Sequence, residues 1–138
     1  MQLIIDSIDT QSRNKIVIHN EDIPEITSLD VGFHLSNSIN SLSANKQYAL
    51  NVESILEKLL VKSTHHHPQY GTMLSIKNLG ILFEPELKIN FLSLLDKYSK
   101  DICIFVKWEG ELDKNTLYFL SKEKGIEINI KNLSHIII

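Results

Sequence analysis

Cysteine is almost absent from this sequence, because the 138 residues include Cys103 alone. A single cysteine excludes an internal disulfide, and the position of Cys103 inside the apolar run DICIFVKW predicts that it is buried. Apolar runs approaching the ~20 residues of a membrane-spanning helix are also missing. MQLIIDSID lacks the basic residues that begin a secretory signal peptide. We therefore expect a cytoplasmic protein that does not associate with membranes.

Clustered positive charge is a further absence. The chain has 17 acidic and 14 basic residues, a net charge of −3, and the basic residues are scattered singly. Nucleic-acid binding requires a clustered basic face that neutralises phosphates, so this pattern argues against direct nucleic-acid binding. The hydrophobic content of 43% is typical of a soluble globular chain, and the length fits one domain over residues 1–138.

Strand-like and helix-like patterns alternate along the chain. The predicted helices cover 33–42, 51–62 with Asn51 as N-cap, and 89–99 with Asn90 as N-cap. In the second of these, an apolar stripe is expected to lie on the core: Val52, Ile55, Leu56, Leu59 and Leu60. The predicted strands are KIVIH (15–19), ITSLDV (26–31), TMLSIKN (72–78), DICIFVKW (101–108), TLYFL (116–120), GIEINI (125–130) and the terminal SHIII (134–138). This alternation predicts an α/β fold with a mostly parallel sheet flanked by helices.

The stretch LSIKNLGILFEPELK (74–88) belongs to a longer series of motifs. It is preceded by LDVGFHLS and ILEKLL and followed by FLSLLDKYSK, VKWEGEL and LYFL. In this order and spacing, residues 28–120 resemble the small P-loop component of type 3 BREX phage-defence systems, the BrxF family. The resemblance implies a P-loop-NTPase-like sheet and a role in a bacterial anti-phage defence complex.

The first departure from that family concerns the phosphate-binding loop. Family members have a glycine-rich loop ending in Gly-Lys-Ser/Thr after the first strand, whereas here KIVIH continues into NEDIPEITS. Glycine N–H groups and the lysine of such a loop hold the phosphates. Glu21, Asp22 and Glu25 would instead repel them. The P-loop and its helix are therefore predicted to be missing.

The second departure is at the end of the strand TMLSIKN. The family has an Asp-Asn pair followed by an acidic residue on the next helix, but this chain has Lys77, Asn78 and then Gly80. An aspartate at this place holds Mg²⁺, which an ammonium group cannot do. We therefore predict a degenerate nucleotide site, no cofactor and no enzymatic activity. The alternatives are a nucleotide-dependent switch with a non-standard ATP site and an antitoxin-like regulatory protein.

The connection between the first two predicted strands is unusually short. About seven residues separate KIVIH from ITSLDV, too few for the crossover helix that parallel neighbours require. Either the two strands pair antiparallel through a turn at NEDIP, or KIVIH lies elsewhere on the sheet.

Three consecutive histidines, His65, His66 and His67, are weak candidates for metal binding. Consecutive residues seldom direct their rings at one ion, and no cysteine or second histidine motif accompanies them. The segment STHHHPQYG (63–71) is predicted to be a solvated loop, and no metal is expected.

Two segments are candidates for protein binding. The first is the end of DICIFVKW with the following turn: Trp108, Glu109, Gly110 and Glu111. An exposed tryptophan would anchor a partner, whereas a buried one would complete the core. The second segment is Ile136, Ile137 and Ile138, which would be buried in a central strand but open to strand addition at a sheet edge. The expected partner is a larger protein of the same defence system, and self-association stays open.

Overall fold

A computed structural model of the protein describes residues 14–40, 48–119 and 126–138. Within these ranges the chain has an α/β fold, in which a mostly parallel sheet is flanked by three helices. The elements are β1 (Ile16–His19), β2 (Leu29–Asp30), α1 (Val31–Asn40), α2 (Tyr48–Ser63), β3 (His65–His67), β4 (Gly71–Lys77), α3 (Phe91–Ser99), β5 (Cys103–Lys107), β6 (Glu111–Asp113), β7 (Thr116–Phe119), β8 (Ile126–Asn129) and β9 (His135–Ile137). The predicted fold class is confirmed. The segment MQLIIDSID and the predicted element ends Ser41, Leu42, Leu120 and Gly125 lie outside the described residues.

The main sheet has the strand order β2-β4-β5-β1-β9, and β3 pairs with β4 off this path. All pairs along the path are parallel, whereas β3 is antiparallel to β4. Two strands, β4 and β5, separate β1 from β2. KIVIH therefore lies elsewhere on the sheet than beside ITSLDV, and the alternative of a hairpin through NEDIP is wrong.

The two faces of the main sheet belong to different hydrophobic clusters, as strand alternation requires. One face packs against residues of all three helices and forms the first cluster. Its strand residues are Ile16, Ile18, Leu74, Ile76, Ile104 and Val106. The other face forms the second cluster, in which Val17, Met73, Cys103 and Phe105 pack against Ile23, Ile26, Tyr70 and Ile136. Cys103 is buried as predicted, and its burial raises the pKa of the thiol to about 11. Loop residues between β1 and β2 thus help to cover the second face.

The helices differ from the prediction mainly at their beginnings. Helix α1 begins at Val31 because the Asp30 carboxylate accepts the N–H of Phe33 at 2.9 Å. Phe33 is 57% exposed, so it does not belong to the buried side of this helix, whereas Val31 is buried. Helix α2 begins at Tyr48, which places Asn51 inside the helix rather than at its N-cap. The predicted cap at Asn90 is confirmed.

The apolar stripe predicted for the second helix is confirmed in α2. Apolar residues at three- and four-residue spacing along α2 face the first cluster, either buried or partly buried: Val52, Ile55, Leu56, Leu59 and Leu60. Spacing of this kind produces one continuous apolar side on a helix.

The histidine segment forms part of a hairpin. In β3, His65 is opposite Met73 and His67 is opposite Gly71, with Gly71 in the left-handed region at φ 71°. The prediction of a loop over 63–71 is therefore wrong for His65–His67, whereas residues 68–70 form a turn. Cross-strand hydrogen bonds to β4 decided the conformation, because β-propensity depends more on neighbours than on the local sequence.

A second, smaller sheet follows the main one. Strands β6, β7 and β8 are antiparallel neighbours in that order. The predicted strands TLYFL and GIEINI are confirmed as β7 and β8, although they lie in this separate sheet. Its inner face includes Leu117 and Ile128, which are buried in the first cluster.

Candidate functional site

Four neighbouring strands end in a row of ionisable residues at the carboxyl edge of the main sheet. Asp30 is opposite Lys77, and Lys107 is opposite His19. Because Ile76 pairs with Val106, Lys77 and Lys107 are next to each other in the register. The order across the edge is therefore Asp30, Lys77, Lys107, His19. Open α/β sheets bind their ligands outside this edge, which makes the row the first candidate site.

Asn78, which follows Lys77 at the end of β4, holds this strand to the start of α1 by two hydrogen bonds. Its backbone is left-handed at φ 54°, and its side-chain Nδ2 donates to Asp30 Oδ1 at 2.8 Å. Its carbonyl accepts the N–H of Gly32 at 2.9 Å. A Cβ on Gly32 would lie 2.6 Å from Asn78 Nδ2, so only glycine allows this approach. The described contacts of Asn78 are thus structural.

Asp30 is the carboxylate nearest to Lys77 in the row. The N–H of Phe33 is the main cause that lowers the pKa of this carboxyl, and the Asn78 amide and the Lys77 charge act in the same direction. Asp30 is therefore ionised at neutral pH and serves as the cap of α1.

The loop after β1 contains the acidic residues Glu21, Asp22 and Glu25. The Asp22 carboxylate accepts a hydrogen bond from Lys107 Nζ at 2.8 Å. This contact lowers the pKa of Asp22 and raises the pKa of Lys107. Glu25 adopts a left-handed backbone at φ 68°. Asp22 thus balances the positive charge of Lys107, and the sequence did not predict this ion pair.

His19 ends β1 and is only 4% exposed. Its Nδ1 donates to the carbonyl of Glu21 at 2.7 Å, whereas Nε2 has no hydrogen-bond partner in the part of the chain that the structure describes. Its ring meets Phe105 edge to face, with centroids 6.2 Å apart. Burial is the main cause that lowers the pKa of His19. Alternation with Val17 in KIVIH was the one sequence signal for this inward position.

Because His19 is buried, we predict that the free energy of unfolding decreases at acid pH. Its pKa in the folded state is below the ordinary value of 6.5, so the unfolded state binds the proton more readily. The contribution is fully present above about pH 6.5 and decreases as the pH falls below that value. His19→Asn retains a donor for the Glu21 carbonyl but cannot titrate. We expect urea unfolding to show a flatter dependence on pH for this variant than for the wild type.

The matched control is His135→Asn. The Nδ1 of His135 makes a similar local bond, to the carbonyl of Leu133 at 2.7 Å, on a half-buried residue. This variant should retain the pH dependence of the wild type because His19 is unchanged. A His19→Asn chain with the wild-type pH dependence would contradict the assignment.

A cleft of about 370 Å³ opens beside the row, where the two sheets meet. Its walls combine the aromatic rings of Phe83, Trp108 and Phe119 with the polar residues Asn78, Lys107 and Glu109. The volume lies within the range of roughly 300–1,000 Å³ that is typical of small-molecule sites. Gly80 also lines the cleft, and a Cβ there would lie 2.9 Å from Phe119 Cζ. Gly80 therefore allows the second sheet to approach β4.

Trp108 is buried, with 4% of its surface exposed, so it completes the core rather than offering a surface anchor. Its Nε1 donates to the carbonyls of Glu111 at 3.1 Å and Tyr118 at 3.3 Å. A Cβ on Gly110 would collide with the Tyr118 carbonyl. Glu109 and Glu111 are exposed and stay candidates for partner contact.

The histidine triplet does not converge on one point. His65 and His66 are exposed on β3 and His67 is half-buried, and successive strand residues face opposite sides. His67 Nδ1 accepts the N–H of Gln69 at 3.1 Å. Across the described ranges, no three histidine, cysteine, aspartate or glutamate side chains are arranged to hold a metal ion.

The terminal isoleucines lie on an edge strand. Within the described chain β9 pairs with β1 alone, and Ile136 packs against the second cluster. Ile137 and Ile138 are 41% and 49% exposed. Among the described strands, β9 thus has the edge position rather than the central one.

Comparisons of this chain with protein-family models, curated proteins and solved structures find no match. The resemblance to the BrxF family therefore rests on the motifs in the sequence, and the function it implies stays a prediction. None of the helices in the described ranges is both long and apolar enough to cross a membrane.

Proposed function

We propose that this chain is a non-catalytic, pseudo-ATPase-like subunit of a bacterial anti-phage defence complex and acts by binding a larger protein of that complex. The biological setting comes from the resemblance of residues 28–120 to the BrxF family. The observation that supports the loss of nucleotide chemistry is the row at the carboxyl edge of the sheet. Lys77 and Lys107 end β4 and β5 with ammonium groups, whereas a Mg²⁺-nucleotide needs a carboxylate there.

The carboxylates next to these lysines already have structural partners. Asp22 accepts a hydrogen bond from Lys107, and Asp30 accepts hydrogen bonds from the Phe33 N–H and the Asn78 amide. Mg²⁺ demands near-octahedral oxygen ligands, so recruiting Asp30 would compete with the cap of α1. This engagement supports a role in binding rather than in hydrolysis.

The cleft at the junction of the two sheets favours a second candidate, a nucleotide-dependent switch with a non-standard ATP site. It offers aromatic surface for a base and lies next to Lys107. Isothermal titration with Mg-ATP separates the two candidates. We expect no binding by the isolated chain, and micromolar binding would favour the switch.

Affinity purification tests the proposed subunit directly. The tagged chain would be expressed from its native gene neighbourhood, washed at moderate salt and analysed by mass spectrometry, with the untagged chain as control. We expect one large protein of the neighbourhood in near-equal amount. A chain that is purified alone would contradict the proposal.

Lys77→Ala is expected to leave phage defence unchanged, because no phosphate or metal chemistry is assigned to this residue. Lys77 is half-buried at the end of a strand, so its truncation should change the free energy of unfolding by only about 0.5 kcal/mol. Efficiency of phage plating measures the effect, and Lys58→Ala on the exposed side of α2 is the matched control. Loss of defence in Lys77→Ala alone, at unchanged stability, would show that the position still has a chemical role.

A further inference from the structure

The main-chain groups on the outer side of β9 are arranged to accept another strand. The N–H of Ile138 donates to the carbonyl of Ile18 at 3.0 Å, and Ile18 is opposite Ile137 in the register. Successive residues of a strand direct their main-chain groups to opposite sides, so the N–H and C=O of Ile137 point away from β1. In the described part of the chain β9 has no neighbour on that side.

The side chains along this edge do not protect it. Natural sheets block their edges with charged residues, prolines, bulges or very short strands. Both end strands of the main sheet are short, with two residues in β2 and three in β9, so protection of the β9 edge by side chains is the point that remains to be compared. The last four residues, HIII, contain neither proline nor lysine, and Ile137 and Ile138 are 41% and 49% exposed. Among the described residues, the β9 edge therefore presents the unpaired main-chain groups of Ile137 together with apolar surface.

We propose that the edge of β9 is the docking site through which this chain holds its partner. An extended segment of the partner protein lies beside β9, exchanges main-chain hydrogen bonds with Ile137 and packs an apolar side chain against Ile137 or Ile138. Only an extended peptide supplies N–H and C=O groups at the matching spacing, which defines the chemistry of the occupant. This inference rests on the proposed function and specifies where the partner binds.

Ile137→Pro tests the edge with little effect on the fold. Proline removes the outward N–H of residue 137 but none of the N–H groups that donate to β1, and edge strands tolerate it. Ile137→Val retains the donor and the β-branched side chain and is the matched control. The probe is a set of overlapping peptides from the proteins encoded by neighbouring genes. We expect an apolar, extended peptide to bind the wild type and Ile137→Val, and to bind Ile137→Pro about tenfold or more weakly.

Hydrogen exchange of residues 135–138 provides a second readout on the wild-type chain, and binding of the peptide should slow it. If urea unfolding shows that Ile137→Pro is not folded, Ile137→Lys replaces it, because a charge on the edge opposes strand addition. Strand addition is overturned if none of the peptides binds, or if a peptide binds the proline variant as tightly as the wild type and leaves the exchange of 135–138 unchanged.

The failure of this inference differs from the failure of the proposed function. A large partner that co-purifies equally with the wild type and with folded Ile137→Pro overturns the β9 site and leaves the proposed subunit intact. A chain that is purified alone from its native neighbourhood contradicts the subunit itself.

Discussion

Leu56→Asp is expected to abolish cooperative folding. Leu56 is 2% exposed and lies on the side of α2 that faces the first hydrophobic cluster. Truncating a buried leucine costs about 2–5 kcal/mol, and an unpaired buried carboxylate adds several more. The free energy of unfolding of a domain is only about 5–15 kcal/mol, so these two costs together are comparable to the whole stability of the chain. Far-UV circular dichroism with urea titration measures the loss.

Val61→Asp is the matched control for this substitution. It introduces the same charge on the same helix, but Val61 is 64% exposed. We expect it to change the free energy of unfolding by less than about 1 kcal/mol, because surface substitutions seldom cost more. A Leu56→Asp chain with a urea transition as stable as that of Val61→Asp would show that α2 does not pack on the sheet as described.

Trp108→Ala is expected to destabilise the chain by about 3–5 kcal/mol, the usual cost of truncating a buried aromatic residue. Trp108 directly follows β5 of the main sheet, and its Nε1 donates to carbonyls of β6 and β7 in the small sheet, so it connects the two sheets. Its ring packs against Phe83 and against Phe91 of α3. The centroid distances are 5.9 Å to Phe83 and 6.4 Å to Phe91. Alanine removes both connections, so hydrogen exchange in β6 and β7 should become faster than in β4.

Phe33→Ala is the control for loss of an aromatic side chain. Phe33 is 57% exposed on α1, and its removal should cost no more than about 0.5 kcal/mol. Trp108→Phe retains a ring but lacks the donor for the carbonyls of Glu111 and Tyr118. Its free energy of unfolding should lie between those of Trp108→Ala and Phe33→Ala. Equal stability of Trp108→Ala and Phe33→Ala would contradict the role of Trp108 at the junction.

A shared consequence of the buried tryptophan concerns partner binding. Two segments were predicted to bind a protein. In the turn after β5, Trp108 is buried in the core and is not available to a partner, whereas Ile137 and Ile138 of the β9 segment are exposed. Interfaces depend on a few apolar anchors at their centre. This difference is why the edge strand, rather than the WEGEL turn, is the first surface to test.

The most periodic segments were predictable from local spacing alone. The apolar stripe of α2 and the cap of α3 at Asn90 follow from a 3.6-residue period and from side-chain bonding at a helix start. The continuous apolar run of β5 indicated a strand covered on both faces, and both faces are covered. Lys77 lies at the end of β4, as the sequence predicted.

Other features depended on contacts between distant segments. The histidine strand β3 forms because β4 supplies its hydrogen bonds, and the exposed position of Phe33 follows from the cap at Asp30. The pairing of Asp22 with Lys107 joins residues that are 85 positions apart. A local pattern contains no information about such partners.

By itself the sequence determined the α/β class, the amphipathic stripe of α2 and the position of Lys77 at the end of a strand, because these depend on residue type and periodicity. Only the tertiary structure decided that β1 lies between β5 and β9, that Trp108 is buried and that β9 is the last of the described strands in the main sheet. Strand order and burial depend on which distant segments pair, and many pairings satisfy the same alternation of apolar residues. The row of Asp30, Lys77, Lys107 and His19 exists only because parallel strands from four parts of the chain end at one edge.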